Sequence, residues 1–196
     1  MSDSPVDKTR RNLVLATATA GGIATVGAAV PFVASMTPSE RAKALGAPVE
    51  ADISALQPGQ MEVLEWRGKP VWVLKRTPEM LEGIKKSDGS VADPASDVPL
   101  QPDYAKNEYR SIKPEIAVIV GVCSHLGCSP QVKGLETRAE MGTGWNGGFY
   151  CPCHGSKFDF AGRVYRGVPA PVNLTVPPYA FISDNKILIG DDKKGA

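Results

Sequence analysis

Apolar and polar positions divide the chain into three stretches with different periodicities. Leu13 to Met36 is 24 residues of apolar and small side chains, and no charge appears between Arg11 and Glu40. As a helix this run would be about 36 Å long, enough to cross a hydrocarbon core of about 30 Å with some tilt. Thr37-Pro38 ends it, because a residue before proline is pushed out of the α region. Residues 37 to 50 carry no apolar stripe fit for a core and close on Gly46-Ala47-Pro48, which predicts a flexible tether between residues 13–36 and a domain over 51–196.

From Asp52 onward the pattern shortens to strand-length runs. Met61 to Trp66 and Val71 to Lys75 flank Arg67-Gly68-Lys69-Pro70 and predict a hairpin. Thr77-Pro78-Glu79 supplies an N-cap, a proline at N1 and an early acid, so a short helix is predicted over about 78–86. Asp88-Gly89, Asp93-Pro94 and Pro99 mark residues 87–111 as a long surface insertion without a functional message. Ile116 to Val122 is a continuous apolar run, read as a buried strand, and Gly147 to Tyr150 is a second short one. Val172 to Val176, Tyr179 to Ser183 and Lys186 to Gly190 complete the set, the last two joined at Asp184-Asn185. Many short strands and little helix predict an all-β fold, an antiparallel β-sandwich, preceded by one N-terminal transmembrane helix.

Charge adds a direction. The chain has 22 Lys+Arg and 21 Asp+Glu; removing Lys8, Arg10 and Arg11 from the first and Asp3 and Asp7 from the second leaves 19 of each from Thr37 onward. A neutral domain has no basic footprint for nucleic acid. The basic residues in front of the apolar run place residues 1–12 in the cytoplasm and the domain beyond the inner membrane, in the periplasm of a bacterium. Thr9-Arg10-Arg11-Asn12-Leu13-Val14-Leu15 resembles a twin-arginine export signal, the route for proteins that fold before export. The alternative, a cleaved signal peptide, is disfavoured by length, since signal cores run to about 7–15 residues. Ala16, Ala20, Ala24 and Ala28 share one face of the helix, where a partner helix could approach closely.

The chemistry is concentrated in one place. All four cysteines and both histidines fall within the 32 residues from Cys123 to His154, in Cys123-Ser124-His125-Leu126-Gly127-Cys128 and Cys151-Pro152-Cys153-His154-Gly155-Ser156. Thiolate and imidazole together suit zinc or an iron-sulfur cluster, and two short loops can present four ligands. Six candidates for four places leave two over, and spacing alone does not decide which.

Both hexapeptides are similar to those of the Rieske iron-sulfur family, and Gly162 to Pro171 resembles the proline-rich loop that covers its cluster. The resemblance implies one [2Fe-2S] cluster with Cys123, His125, Cys151 and His154 as ligands, in a cluster-binding subdomain at about 121–171. In the high-potential branch it also implies a disulfide between Cys128 and Cys153. Gly127 and Gly155 would let amides face sulfur, Leu126 and Pro169 to Pro171 would shield the cluster, and Ser156 would bond a cluster sulfide. Where most high-potential members carry tyrosine two residues after that serine, this chain has Phe158. Two ferric ions, two sulfides and two thiolates sum to zero charge, so this ligation makes an added electron less costly, with potentials between about −150 and +300 mV against about −400 mV for plant-type ferredoxins.

For function, the resemblance implies the Rieske subunit of a bacterial ubiquinol-cytochrome c reductase, a proton-translocating oxidoreductase of the respiratory chain. The subunit would take one electron, with a proton, from ubiquinol at His154, with His125 as the second solvent-facing imidazole, and pass the electron to a c-type cytochrome. Cytochrome b, the c-type cytochrome and the membrane are the implied partners, in a dimeric complex, and residues 37–50 would be the hinge of a mobile domain. The alternatives are the small Rieske subunit of an arsenite oxidase, a soluble Rieske ferredoxin and a structural zinc module.

Overall fold

Asp7 starts the first helix: its carboxylate accepts from the backbone N–H groups of Thr9 and Arg10. The computed structural model describes residues 7–192, so the first six residues of the segment expected at 1–12 and the last four of the chain lie outside the described residues. Helix α1 (Lys8–Ser35) covers the predicted span 13–36 except Met36, which is its C-cap. Within its apolar run the hydroxyls of Thr17, Thr19 and Thr25 donate to the carbonyls of Leu13, Leu15 and Gly21. That pairing suits a helix surrounded by lipid, where nothing else would accept those protons. The predicted tether is not irregular throughout. Ser39 caps a short helix α2 (Glu40–Leu45), its hydroxyl accepting from Ala42 N–H, and strand β1 (Val49–Asp52) already includes Val49 and Glu50. The chain divides into two units at Ala44 and Leu45.

The second unit contains three three-stranded antiparallel sheets. The hairpin forms as predicted, β2 (Met61–Trp66) against β3 (Lys69–Lys75), and β4 (Ile116–Val120) pairs with the other edge of β3. Arg67 and Gly68, both at positive φ, make its two-residue turn, the type that matches strand twist. A second sheet orders β1, β9 (Lys186–Ile189) and β8 (Tyr179–Ser183). Val71, Val73, Ile116, Val118 and Val120 face this sheet and form one core with Ala51, Tyr179, Ile187 and Ile189. The alternate residues Trp72, Leu74, Ala117 and Ile119 face the other way, into a second core. Two-sided burial explains why β4 reads as an unbroken apolar run rather than an alternation.

Sheet three is small: β5 (Gln131–Lys133), β6 (Gly148–Tyr150) and β7 (Lys157–Phe158). Helix α3 (Pro78–Lys86) forms where predicted, with the Thr77 hydroxyl accepting from Met80 N–H, and a single turn α4 (Arg138–Met141) precedes β6.

Two expectations fail. Residues 172–176 form no strand, because their partners are scattered: Leu174 N–H donates to Gly162, Thr175 accepts from Val120 N–H, and Val176 N–H donates to Leu100. Residues 87–111 are no surface insertion. Val91, Ser96, Ala105 and Arg110 are buried, Ala92 N–H donates to Val164, and Ser90 accepts from Arg166 N–H. The segment clasps the chain that leaves the second Cys/His loop. Its turn residues made it look exposed, but its buried side chains are individually small or polar.

Candidate metal centre

Each ligand loop is delivered by a strand and closed in the same way. Strand β4 leads into the first, where Cys123 N–H donates to Cys128 O (2.8 Å) and Gly127 N–H to Cys123 O (3.0 Å). Strand β6 leads into the second, where Cys151 N–H donates to Ser156 O (2.8 Å) and Gly155 N–H to Cys151 O (2.9 Å). The fifth residue of each hexapeptide is a left-handed glycine, Gly127 at φ 85° and Gly155 at φ 78°. Two loops of different sequence thus present their first cysteine on the same backbone frame.

Cys123 and Cys151 are free and buried, in one apolar core with Phe149, Phe158 and Phe160. Burial pushes the Cys123 thiol above its ordinary value; the N–H of His125 and the hydroxyl of Ser156 oppose this, and the neighbouring Cys151 thiol adds to it. The rings of His125 and His154 lie edge to face, 4.8 Å between centroids, with His154 exposed and His125 half-buried. The Nδ1 of His125 is buried and has no hydrogen-bond partner. A buried lone pair without a donor is costly, and two buried thiols beside it complete a donor set that fits a Cys2His2-bound [2Fe-2S] cluster.

The remaining cysteines are joined: Cys128 and Cys153 form a disulfide across 25 positions. The sulfurs of Cys128, Cys151 and Cys153 lie within 4.8 Å of one another, yet two of the three are used up in that bond, so they make no separate metal site. The bridge fastens one loop to the other beside the ligands.

Around this centre, Ser156 Oγ accepts from Ala170 N–H (3.0 Å), which leaves its own proton for sulfur. Ala170 is thereby held in the proline-rich segment, with Pro169 and Pro171 exposed on either side. Leu126 projects at the tip of the first loop, 72% exposed. Ser124, which the sequence reading passed over, donates to Val172 O (2.6 Å) and ties the first loop to the same segment. Phe158 is fully buried and paired with Phe149 across β6 and β7.

Sequence reasoning also missed the support beneath the second loop. Asp159 accepts from the N–H groups of Ala161 and Arg163 and from Arg163 Nε (2.7 Å). Arg76 donates to Phe160 O, and Arg110 to Ala161 O and Gly162 O. The available signal was an Asp and an Arg four apart inside the otherwise apolar run from Phe158 to Val164.

Comparison with known proteins is in keeping with this geometry. The family model described as the Rieske [2Fe-2S] domain matches residues 48–179, and one described as "Ubiquitinol-cytochrome C reductase Fe-S subunit TAT signal" matches residues 1–39. The chain is 54% identical to the ubiquinol-cytochrome c reductase iron-sulfur subunit of Allochromatium vinosum, covering 100% of this chain and 95% of that one. It is 40% identical to the protein of the same name from Blastochloris viridis, over 96% and 97% of the two chains. Among solved structures it is similar to a chain of "Hyperthermophilic respiratory Complex III", at 29% identity and TM-score 0.47, covering 89% of this chain and 98% of that one.

Proposed function

The chain belongs to the Rieske [2Fe-2S] family, among the iron-sulfur subunits of ubiquinol-cytochrome c reductase, and from that membership we propose that it carries single electrons from ubiquinol to a c-type cytochrome. When bound, the cluster supplies a one-electron site that histidine ligation makes easy to reduce. Cys123, His125, Cys151 and His154 hold it, and the observation that carries this assignment is the buried, partnerless Nδ1 of His125 beside two buried free thiols.

The protein's own groups divide the remaining work. His154, exposed beside His125, offers its outward ring nitrogen to the quinol hydroxyl and to the proton that accompanies the electron. Leu126 and the exposed prolines 169 and 171 form an apolar rim that docks on the quinol-binding subunit and keeps water from the contact. Cys128 and Cys153 hold the two loops in register, and Ser156 directs its proton toward sulfur.

Helix α1 anchors the subunit in the inner membrane as a single pass, with Lys8, Arg10 and Arg11 on the cytoplasmic side. The globular unit then lies in the periplasm, where a disulfide persists. Cytochrome b and a c-type cytochrome are its neighbours in a dimeric complex. The hinge lies in residues 37–50, at the irregular pieces on either side of α2.

Purifying the tagged full chain from native membranes tests this. Haem b and haem c should co-purify, and added ubiquinol should reduce the cluster. A chain recovered without haem, or a cluster that ubiquinol leaves oxidised, would overturn the proposal.

A further inference from the structure

Three arginines are almost wholly buried behind the ligand loops, Arg76, Arg110 and Arg163, against one wholly buried carboxylate, Asp159. Arg163 is matched: it pairs with Asp159 (2.7 Å) and with half-exposed Asp88 (2.7 Å). The other two have no carboxylate in contact. Arg76 donates to Phe160 O (3.0 Å), Tyr109 O (2.9 Å), Pro114 O (2.9 Å) and Ser111 Oγ (3.2 Å), all neutral. Arg110 donates to Ala161 O (3.1 Å), Gly162 O (3.4 Å) and Gln101 Oε1 (2.9 Å), and its Nε is buried without a partner. Burial pushes both guanidinium groups down to about 10, which still leaves them charged at neutral pH.

Holding two cations in the interior with no carboxylate in contact is expensive, and apolar side chains of similar volume would cost less if packing were their only purpose. Their location suggests another purpose. The carbonyls they hold belong to Phe160, Ala161 and Gly162, and the side chains of Phe160 and Ala161 pack in the same apolar core as Cys123 and Cys151. This positive charge sits behind the two cysteines in a medium that screens it poorly. Asp159 acts through space on both arginines and the partly buried Asp93 on Arg110, but neither carboxylate reaches ion-pair distance of them, so their charge is offset only in part.

We propose that Arg76 and Arg110 are tuning residues, whose buried charge, unpaired by any contacting carboxylate, favours the reduced cluster, and that Asp159 acts in the opposite sense. The inference rests on the cluster assignment above. A unit charge acting through protein over about 10 Å shifts an equilibrium on the order of tenfold, which for one electron is about 59 mV.

The test is voltammetry of the detergent-purified full chain, with electron paramagnetic resonance to establish cluster content. Arg76→Met and Arg110→Met should each lower the reduction equilibrium about tenfold, Arg110→Lys should return it to within a few-fold of wild type, and Asp159→Asn should raise it. Opposite signs are the discriminating result, because loosening of the core would move every variant the same way. If the Met variants fail to assemble, Arg110→Lys and Asp159→Asn decide the matter alone. Loaded Met variants with wild-type potential, or an Asp159→Asn potential that is unchanged or lowered, overturn the inference and leave the function standing. Absence of a cluster in the wild-type chain would instead overturn the function.

Discussion

The two ligand loops share a backbone and differ in how they are anchored. Residues 123–128 and 151–156 close with the same pair of hydrogen bonds and the same left-handed glycine. The first loop ends in Cys128 and reaches the rest of the fold through its disulfide and through Ser124 to Val172, with Leu126 projecting into solvent. The second ends in Ser156, continues into β7, and is footed on the buried Asp159, Arg163, Arg76 and Arg110. One frame thus has two settings: a tip that projects into solvent, and a root held by buried polar groups.

The contrast can be broken most severely at the bridge. Cys128→Ser should free the first loop from its main tie, costing about 3 kcal/mol in the chain-entropy estimate, and should lose much of the cluster although all four ligands remain. Cys153→Ser should do the same, since the bond is shared. Cluster content by electron paramagnetic resonance checks this, and a double variant with native content and potential would remove the structural role.

Smaller, and aimed at what the loops have in common, are Gly127→Ala and Gly155→Ala. A Cβ has room at both positions: nothing lies within 4 Å at Gly127, and the closest atom at Gly155 is the Tyr150 hydroxyl at 3.9 Å. The cost is therefore backbone strain alone, about 1–2 kcal/mol each. Thermal unfolding should show equal losses, and a large inequality would mean that the shared frame is only superficial.

Next comes a difference between the loops. Ser156→Ala removes a hydroxyl whose proton faces sulfur and leaves Ala170 N–H without its acceptor. The potential should fall by about 59 mV, a tenfold change for one electron. Voltammetry of the loaded protein measures it, and an unchanged value would show that the proton points elsewhere.

The smallest effect is expected at Phe158→Tyr. The ring is fully buried in the core that holds Cys123 and Cys151, so an added hydroxyl must find an acceptor or cost about 1–3 kcal/mol. If it finds cysteine sulfur, the potential rises by some tens of millivolts, about half the change expected for Ser156. A lowered potential would show that the hydroxyl only disturbs the core.

Much of this was legible in the sequence because the signals were local. The hairpin at Arg67-Gly68, the cap at Thr77 and the delivery of Cys123 and Cys151 by strands each follow from a few neighbouring residues. The clasp at 87–111 and the scattered partners of residues 172–176 were not legible, since their hydrogen bonds run to residues up to 80 positions away. Helix α2 was missed because six residues without an apolar stripe give no periodicity to read. Its presence also alters how the hinge must be probed: prolines at Ala42 or Ala44 would break α2 rather than stiffen an open linker.

The assignment of the four ligands can be tested by isotope labelling. The chain contains two histidines, so growth on ¹⁵N-histidine labels His125 and His154 and nothing else. Pulsed electron paramagnetic resonance of the reduced full chain should then show two strongly coupled ¹⁵N nuclei, with one left in His125→Ala or His154→Ala wherever cluster is retained. A reduced centre with no nitrogen coupling from histidine, or a protein with no paramagnetic centre at all, would contradict the Cys123, His125, Cys151 and His154 site.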